Sequence, residues 1–360
     1  MIKLGLKGYI AKRITYSAVL VLFVITLNFI IFMLMPGDPT QAFMPPPGAG
    51  APAGQEYQEW VDKLKQLWGL ADPLHIRFAK TLKNLLTWDF GKTIIGRKVV
   101  AREMMKKIPY TLWLIGSATV LSAVIGIILG VYSAANRGGK TDTSMVLTSL
   151  FFYSVPVFWL GMIFIYAFSL QLGWLPPGGA RPSEWVGKRV PIPFTLSSDP
   201  SALSLNLQLV INPSEALNFI SGYIHHAILP VTTLVIFTYA GYLLLTRATM
   251  LDALTEDYVI TARAKGVSER TVLFKHTLKN ASLPLITSVA LSFGFLLSGA
   301  ILTETIYNYP GLGRWIWYAI LNRDYPVLMP TFYVIGLCVI AANFIADLLY
   351  GIIDPRIKYG

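Results

Sequence analysis

Between Ile14 and Met35 the chain runs for 22 residues without one charged side chain. At about 1.5 Å of rise per residue, a helix of that length crosses about 30 Å of hydrocarbon. Comparable apolar runs occupy residues near 110–135, 144–172, 225–246, 283–303 and 328–352. Inside a bilayer every backbone amide and carbonyl needs a partner within the protein, so runs of this kind fold as helices. The expectation is an all-α integral membrane protein with six transmembrane helices. Composition agrees, because only 14% of residues are charged, against about 25% in a soluble domain.

The first run is expected to stay uncleaved. Lys3, Lys7, Lys12 and Arg13 precede it as they would a signal peptide, but it is too long for an h-region, and Met35-Pro-Gly-Asp38 offers no small-residue cleavage site. Six crossings put both termini on one side with the 136–143 loop and the polar segment 247–282, and these four segments hold 14 of the 30 Lys and Arg. The other side holds 16, but 11 of them lie in the 36–108 segment, which is too long to obey the positive-inside rule. Counted over short loops, the bias makes the termini and the 247–282 segment cytoplasmic. The net charge of +11 is spread over loops and forms no single face, so nucleic acid is not an expected partner. The lone Cys338 excludes a disulfide framework and a Cys-based metal site, and reads as a small buried hydrophobe.

Along the chain, Pro36-Gly-Asp-Pro39 stops the first helix, and residues 45–54 are almost all Pro, Gly and Ala. Residues 56–70, with Trp60, Leu64, Leu67 and Trp68, have the spacing of an interfacial amphipathic helix. Gly126 and Gly130 in the second span have the spacing that lets membrane helices approach closely. Arg137-Gly-Gly-Lys-Thr141 is half of a phosphate loop and lacks the further glycine, strand and soluble helix that nucleotide binding requires. No HExxH or GxSxG is present and no catalytic residue is assigned.

Pro156 is expected to bend the third span, whose aromatics Tyr153, Phe158 and Trp159 are candidates for a translocation path, with Ser288, Ser292 and Ser298 of the fifth. His225 and His226 open the fourth span and face different directions on a helix, which suits an interfacial polar pair rather than a metal site. Glu304, at the end of the fifth span before Pro310-Gly-Leu-Gly313, is a structural carboxylate. Asn343 and Asp347, a helical turn apart in the sixth span, are structural polar residues as well; Asp347 is too costly to face lipid and suits a structural ion pair.

The segment 247–282 is the polar exception between two apolar runs. Up to Lys265 it consists mostly of helix formers, Gly266 interrupts it, and Ser268 is placed to cap a second helix. A helix–Gly–helix elbow anchored by spans at both ends suits a part gripped by another protein. Its core, Asp257-Tyr-Val-Ile-Thr-Ala-Arg-Ala-Lys-Gly266 with Leu283-Pro284 downstream, resembles the cytoplasmic coupling loop of ABC importer permeases, with Ile260, Thr261 and Ala262 on its Glu-Ala-Ala positions and Gly266 on its glycine. The family's glutamate is absent here, and Leu283-Pro284 comes several residues late. The fuller string from Arg247 through Met250-Leu-Asp252 looks like the dipeptide/oligopeptide permease branch, as do Pro36-Gly-Asp-Pro39, the Glu304–Gly313 stretch and Asn343, Asp347 and Asp354-Pro-Arg356.

That resemblance implies an ABC importer type I permease fold and an ATPase-coupling set of Asp257, Tyr258, Thr261, Ala262, Arg263, Ala264, Lys265 and Gly266. It implies a homologous second permease, two ATP-binding subunits that hold ATP and Mg, and an extracellular solute-binding protein, with no cofactor bound by this chain. The expected organisation is a cytoplasmic segment and first helix over 1–35, an extracellular segment over 36–108, and a five-helix core over 109–353 followed by a cytoplasmic tail over 354–360. The core includes the extracellular insert 173–224 and the coupling loop 247–282. The cargo stays open between peptides and oligosaccharides, with nickel a further option in the branch. From another class, an ion-coupled secondary transporter would rest on Asn343 and Asp347 alone.

Overall fold

The computed structural model describes residues 6–34, 59, 72–185, 195–196, 205–206, 213–298 and 300–353. The amphipathic stretch 56–70, the Pro36–Pro39 stop and the 354–360 tail lie essentially outside these residues, as does the side chain of Asp347. The first helices are α1 (Leu6–Leu34), α2 (Leu74–Leu86) and α3 (Val100–Ala135). Next come α4 (Lys140–Ser154) and α5 (Val157–Phe164), which continues as a wider turn over Ile165–Gln171. Strands β1 (Thr195–Leu196) and β2 (Leu205–Asn206) form a short antiparallel pair. Helix α6 (Pro213–Leu254) leads to α7 (Asp257–Ala264) and the single turn α8 (Glu269–Thr271). A π-type turn over Val272–Thr277 then enters α9 (Leu278–Gly294), followed by α10 (Ile301–Ile306), α11 (Leu312–Leu321) and α12 (Tyr325–Ile353).

Four of these helices contain stretches long and apolar enough to cross a membrane among the described residues: Lys12–Leu34, Val100–Ala135, Ile220–Leu254 and Tyr325–Ile345. The α4–α5 pair would make a fifth, bent by 95° at the break that Pro156 was expected to cause. Pro156 itself stands at φ −58 and ψ 127, an extended conformation that no helix carries through. The expected fifth span, 283–303, is not one helix. Its first part is α9, whose 17 residues reach about 26 Å; Leu296–Ser298 is a tight 3₁₀ turn, and α10 begins at Ile301. Three other boundaries also move. Helix α3 starts at Val100 and runs through Pro109, α6 starts at Pro213 within the expected insert 173–224, and α6 continues to Leu254 inside the expected loop.

The central packing is α3 against α6, and two glycines set its closeness. A Cβ at Gly126 would lie 2.5 Å from the Tyr242 Cβ and 2.6 Å from the Tyr239 carbonyl. One at Gly130 would lie 2.5 Å from the Thr246 Cβ and 2.7 Å from the Leu243 carbonyl. Absence of a side chain therefore lets the backbones meet, as the small-residue spacing requires. Helix α1 stands outside this pair and packs on α12, where Val24 meets Gly336 and the buried Asn28 donates to the Met329 carbonyl at 2.8 Å. Elsewhere α1 exposes Val19, Leu22, Phe23 and Ile31, as a lipid-facing helix does.

The two ends of the bundle are organised by different polar contacts. At the end where α3 begins, Glu304 is fully buried and accepts from the Thr111 hydroxyl at 2.9 Å and the Arg314 amide at 2.8 Å. Thr111 in turn accepts from the Leu312 amide at 2.7 Å, so one carboxylate ties α10, α3 and α11 together. Gly311 and Gly313 pass so close to Glu304 that a Cβ would lie 2.5 and 3.0 Å from its carboxyl. At this end, too, His225 and His226 donate separately, Nε2–H to the Trp174 carbonyl at 3.1 Å and Nδ1–H to the Gly178 carbonyl at 3.0 Å. Their rings stand at 89° to each other, with centres 6.3 Å apart.

Candidate coupling site

The elbow hangs from the opposite end, where Val131 and Ala134 of α3 pack on Met250 and Ala253 of α6 and on Leu273 and Ala281. Helix α7 is eight residues long, too short to be stable on its own in water. A small core of its own holds it: Val259, Ala262 and Val272 are buried together, with Leu254, Tyr258 and Val267 packed around them. Val259 and Ala262 thus face inward at one-turn spacing, and the next residues round the helix face solvent. Ile260 is 60% exposed, a large apolar side chain turned outward, and Asp257, Thr261, Arg263, Ala264 and Lys265 are exposed with it.

The bend is a Schellman ending. Gly266 has φ +75, its amide donates to the Arg263 carbonyl at 2.9 Å, and the Val267 amide donates to the Ala262 carbonyl at 3.3 Å. Val267 then packs back on Ala262, the apolar contact that accompanies this motif. A Cβ at Gly266 would meet nothing within 4 Å, so the glycine is required by backbone conformation and not by space. Across the bend, Arg263 donates to Glu269 at 2.7 and 3.2 Å and holds its carboxyl below the usual range. Ser268 does take the position before α8, but its hydroxyl pairs with that of Thr271 at 2.8 Å and caps no amide.

The expected coupling set is therefore contiguous in space but not uniform. Ala262 belongs to the elbow's core, while Tyr258 is half-buried and reaches the Ala253 carbonyl at 3.4 Å. Ile260 and Glu269 were not in the set. The helical period anchored on Val259 and Ala262 points to Ile260, whereas Glu269 becomes visible only once the bend brings it to Arg263.

The expected path residues fall into two groups. Tyr153, Phe158 and Trp159 are exposed at the α4–α5 bend, with Tyr153 stacked on Phe237 of α6 at 5.8 Å between ring centres. Ser292 donates to the Ser288 carbonyl at 2.9 Å and accepts from Tyr242 at 2.8 Å, which joins α9 to α6. Ser298 bonds the Phe295 carbonyl within its own turn at 2.6 Å. Both groups reach α6, five residues apart at Phe237 and Tyr242, but Ser292 is engaged in helix packing. Asn343 is exposed on α12.

No described group of His, Cys, Asp or Glu has the arrangement of a metal site. Among the described residues the half phosphate loop is closed on itself: Asp142 accepts from the Gly138 amide at 2.9 Å and occupies the place where a bound anion would meet that amide.

Residues 126–359 match the family described as binding-protein-dependent transport system inner membrane component. The chain is 35% identical over 353 residues to the oligopeptide transport system permease protein AppB of Bacillus subtilis, covering 98% of this chain and 99% of that one. It is 35% identical over 352 residues to the di/tripeptide transport system permease protein DppB of Pseudomonas aeruginosa, with the same coverage. Against the glutathione transport system permease protein GsiC of Escherichia coli K12 the identity is 34% over 352 residues, again 98% and 99% of the two chains. With a self-supporting elbow at one end of an apolar bundle and likeness along nearly its whole length, this chain belongs to the binding-protein-dependent transport system inner membrane component family.

Proposed function

We propose that this chain is the transmembrane permease subunit of an ATP-driven importer of di- and oligopeptides, forming half of the translocation path. The observation that carries the reading is likeness over 98% of the chain to relatives named for oligopeptide, di/tripeptide and glutathione transport. The oligosaccharide alternative is not favoured by the names these relatives carry. We further propose six crossings, the interrupted α9–α10 stretch supplying one, with both termini and the elbow cytoplasmic in the inner cell membrane. A homologous permease would complete the path, two ATP-binding subunits would supply ATP and Mg, and an extracellular binding protein would deliver the peptide. This chain would bind no cofactor.

In that assembly the exposed face of α7, centred on Ile260 with Arg263 and Lys265 beside it, is what an ATPase subunit would grip. Closure of two ATPases on ATP would displace the elbow and favour one of two states of the path, which is work done by differential binding and not by chemistry in this chain. The test is reconstitution of the permease pair, ATPases and binding protein in liposomes, with titration calorimetry of the binding protein against peptides and oligosaccharides. ATP-dependent uptake of peptide is expected. Uptake driven by an ion gradient without the ATPases, or a binding protein that takes sugars alone, would overturn the assignment.

A further inference from the structure

A second connection enters the elbow's base from the side. Asp142, in the first turn of α4, is buried, yet 105 residues along the chain Arg247 reaches it with two donors, Nε at 2.7 Å and an Nη at 2.8 Å. Arg247 lies in the last turns of α6, ten residues before α7 begins. The carboxylate also accepts from the Ser133 hydroxyl of α3 at 2.5 Å and from the Gly138 amide of the α3–α4 turn. One anion thus gathers α3, the turn, α4 and α6. A forked guanidinium–carboxylate pair fixes orientation as well as distance, which a single hydrogen bond does not.

We propose, resting on the coupling reading above, that Asp142 and Arg247 are positioning residues that pass the elbow's displacement to α4. Apart from this pair, the first turn of α4 is tied by side chain and chain continuity to α3, through Ser133 and the short Arg137–Gly139 turn, where Gly138 has φ +74; the Arg247 fork is what carries it across to α6. With it, the first turn of α4 and the elbow-bearing end of α6 form one body. Helix α4 leads directly to Tyr153 and the 95° bend, so a push on the elbow reaches the bent span by two routes, along α6 and across the pair. Buried pairs of this kind specify a geometry more than they add stability, and loss of one partner leaves the other charge uncompensated.

The experiment uses the assembled importer in liposomes, with Cys338→Ser in this chain and spin labels on Thr143→Cys and Glu256→Cys, both exposed. Distances are measured without nucleotide and after trapping with ATP and vanadate, and ATP hydrolysed per imported labelled tetrapeptide is measured in parallel. In the parent the distance is narrow and unchanged by trapping. Asp142→Asn, which keeps shape but removes the charge, should broaden it, make it respond to trapping, and raise ATP consumed per peptide by about fivefold or more. Arg247→Lys, which keeps charge but loses the fork, should fall between, and it decides the matter if the Asn variant does not assemble. An unchanged distance and ratio would overturn the proposal, as would a lower yield of complex with the parental ratio. A parent complex that imports no peptide would sink the transport reading, and the distance measurement would still test the one-body claim.

Discussion

Gly266 separates two explanations of why a coupling elbow needs a glycine. Its φ of +75 lies in the left-handed region, and an added Cβ would meet nothing within 4 Å. In the free chain, then, substitution costs backbone strain and no steric clash. That strain is about 1–2 kcal/mol for a residue with a Cβ, smaller for Asn and larger for a β-branched side chain. One to two kcal/mol shifts the ratio of formed to opened elbow by about 5–30-fold. Import coupled to ATP hydrolysis should therefore fall in the order Gly, Asn, Ala, Val at this position. Amide exchange at residues 266 and 267, which donate to Arg263 and Ala262, should quicken in the same order. A partner surface pressed against the glycine predicts a different sequence, by volume: Gly, Ala, Asn, Val. If Ala outperforms Asn while exchange at the bend stays at the parental rate, the backbone argument fails.

Further outcomes follow from the same geometry. Gly130→Leu should destabilise the α3–α6 seam by about 1–3 kcal/mol or more, because the neighbours at 2.5 and 2.7 Å are a Cβ and a backbone carbonyl. Gly116→Leu, on the same helix with nothing within 4 Å, should leave unfolding in detergent unchanged. Glu304→Ala should cost about 1–3 kcal/mol for each donor it orphans at Thr111 and Arg314, seen as a lower denaturant midpoint in purified protein. Arg263→Ala should change stability by less than about 1 kcal/mol, since both partners are about half exposed. Because Arg263 depresses Glu269 below its ordinary 4.5, that contribution is present above this value and is lost as pH falls through the depressed one. Parent and variant should thus differ in exchange at the bend near neutral pH and converge in acid.

Much of this architecture is legible where a single residue type has one physical consequence. Pro156 removes an amide donor within a span and the chain turns by 95° there, although α3 accommodates Pro109 without a break. Gly126 and Gly130 can only shorten a helix–helix distance, and they do, against Tyr242 and Thr246. The apolar run 283–303 was less informative, because hydropathy measures transfer to lipid and is silent on whether a serine- and glycine-rich stretch keeps one axis. Within the elbow, Ala262 reads equally well as an open approach for a partner and as a core residue. Only the burial of Val259 and Val272 beside it decides for the core. Asp142 and Arg247 could not be paired from the sequence at all, since 105 residues separate them and no spacing rule links a first-turn carboxylate of one helix to the far end of another.

The elbow's construction bears on how force could pass through it. A segment that melted when pushed would absorb displacement, and an eight-residue helix with exposed ends is prone to melt. Here the inward face is buried in a cluster that includes Val272, beyond the bend, so opening α7 means also uncovering the start of the π-type turn into α9. The Arg263–Glu269 bridge and the Schellman hydrogen bonds span the same bend, and each is modest alone. Acting on one short arc they make it cooperative, so the arc keeps its shape until the whole cluster is lost. A body of this kind moves its anchors before it deforms. Its anchors are the end of α6, locked to α3 at Gly130 and to α4 at Asp142, and the start of α9. On the proposed reading, a load on Ile260 is therefore carried into four helices of the bundle at once, α6 and α9 directly and α3 and α4 through α6.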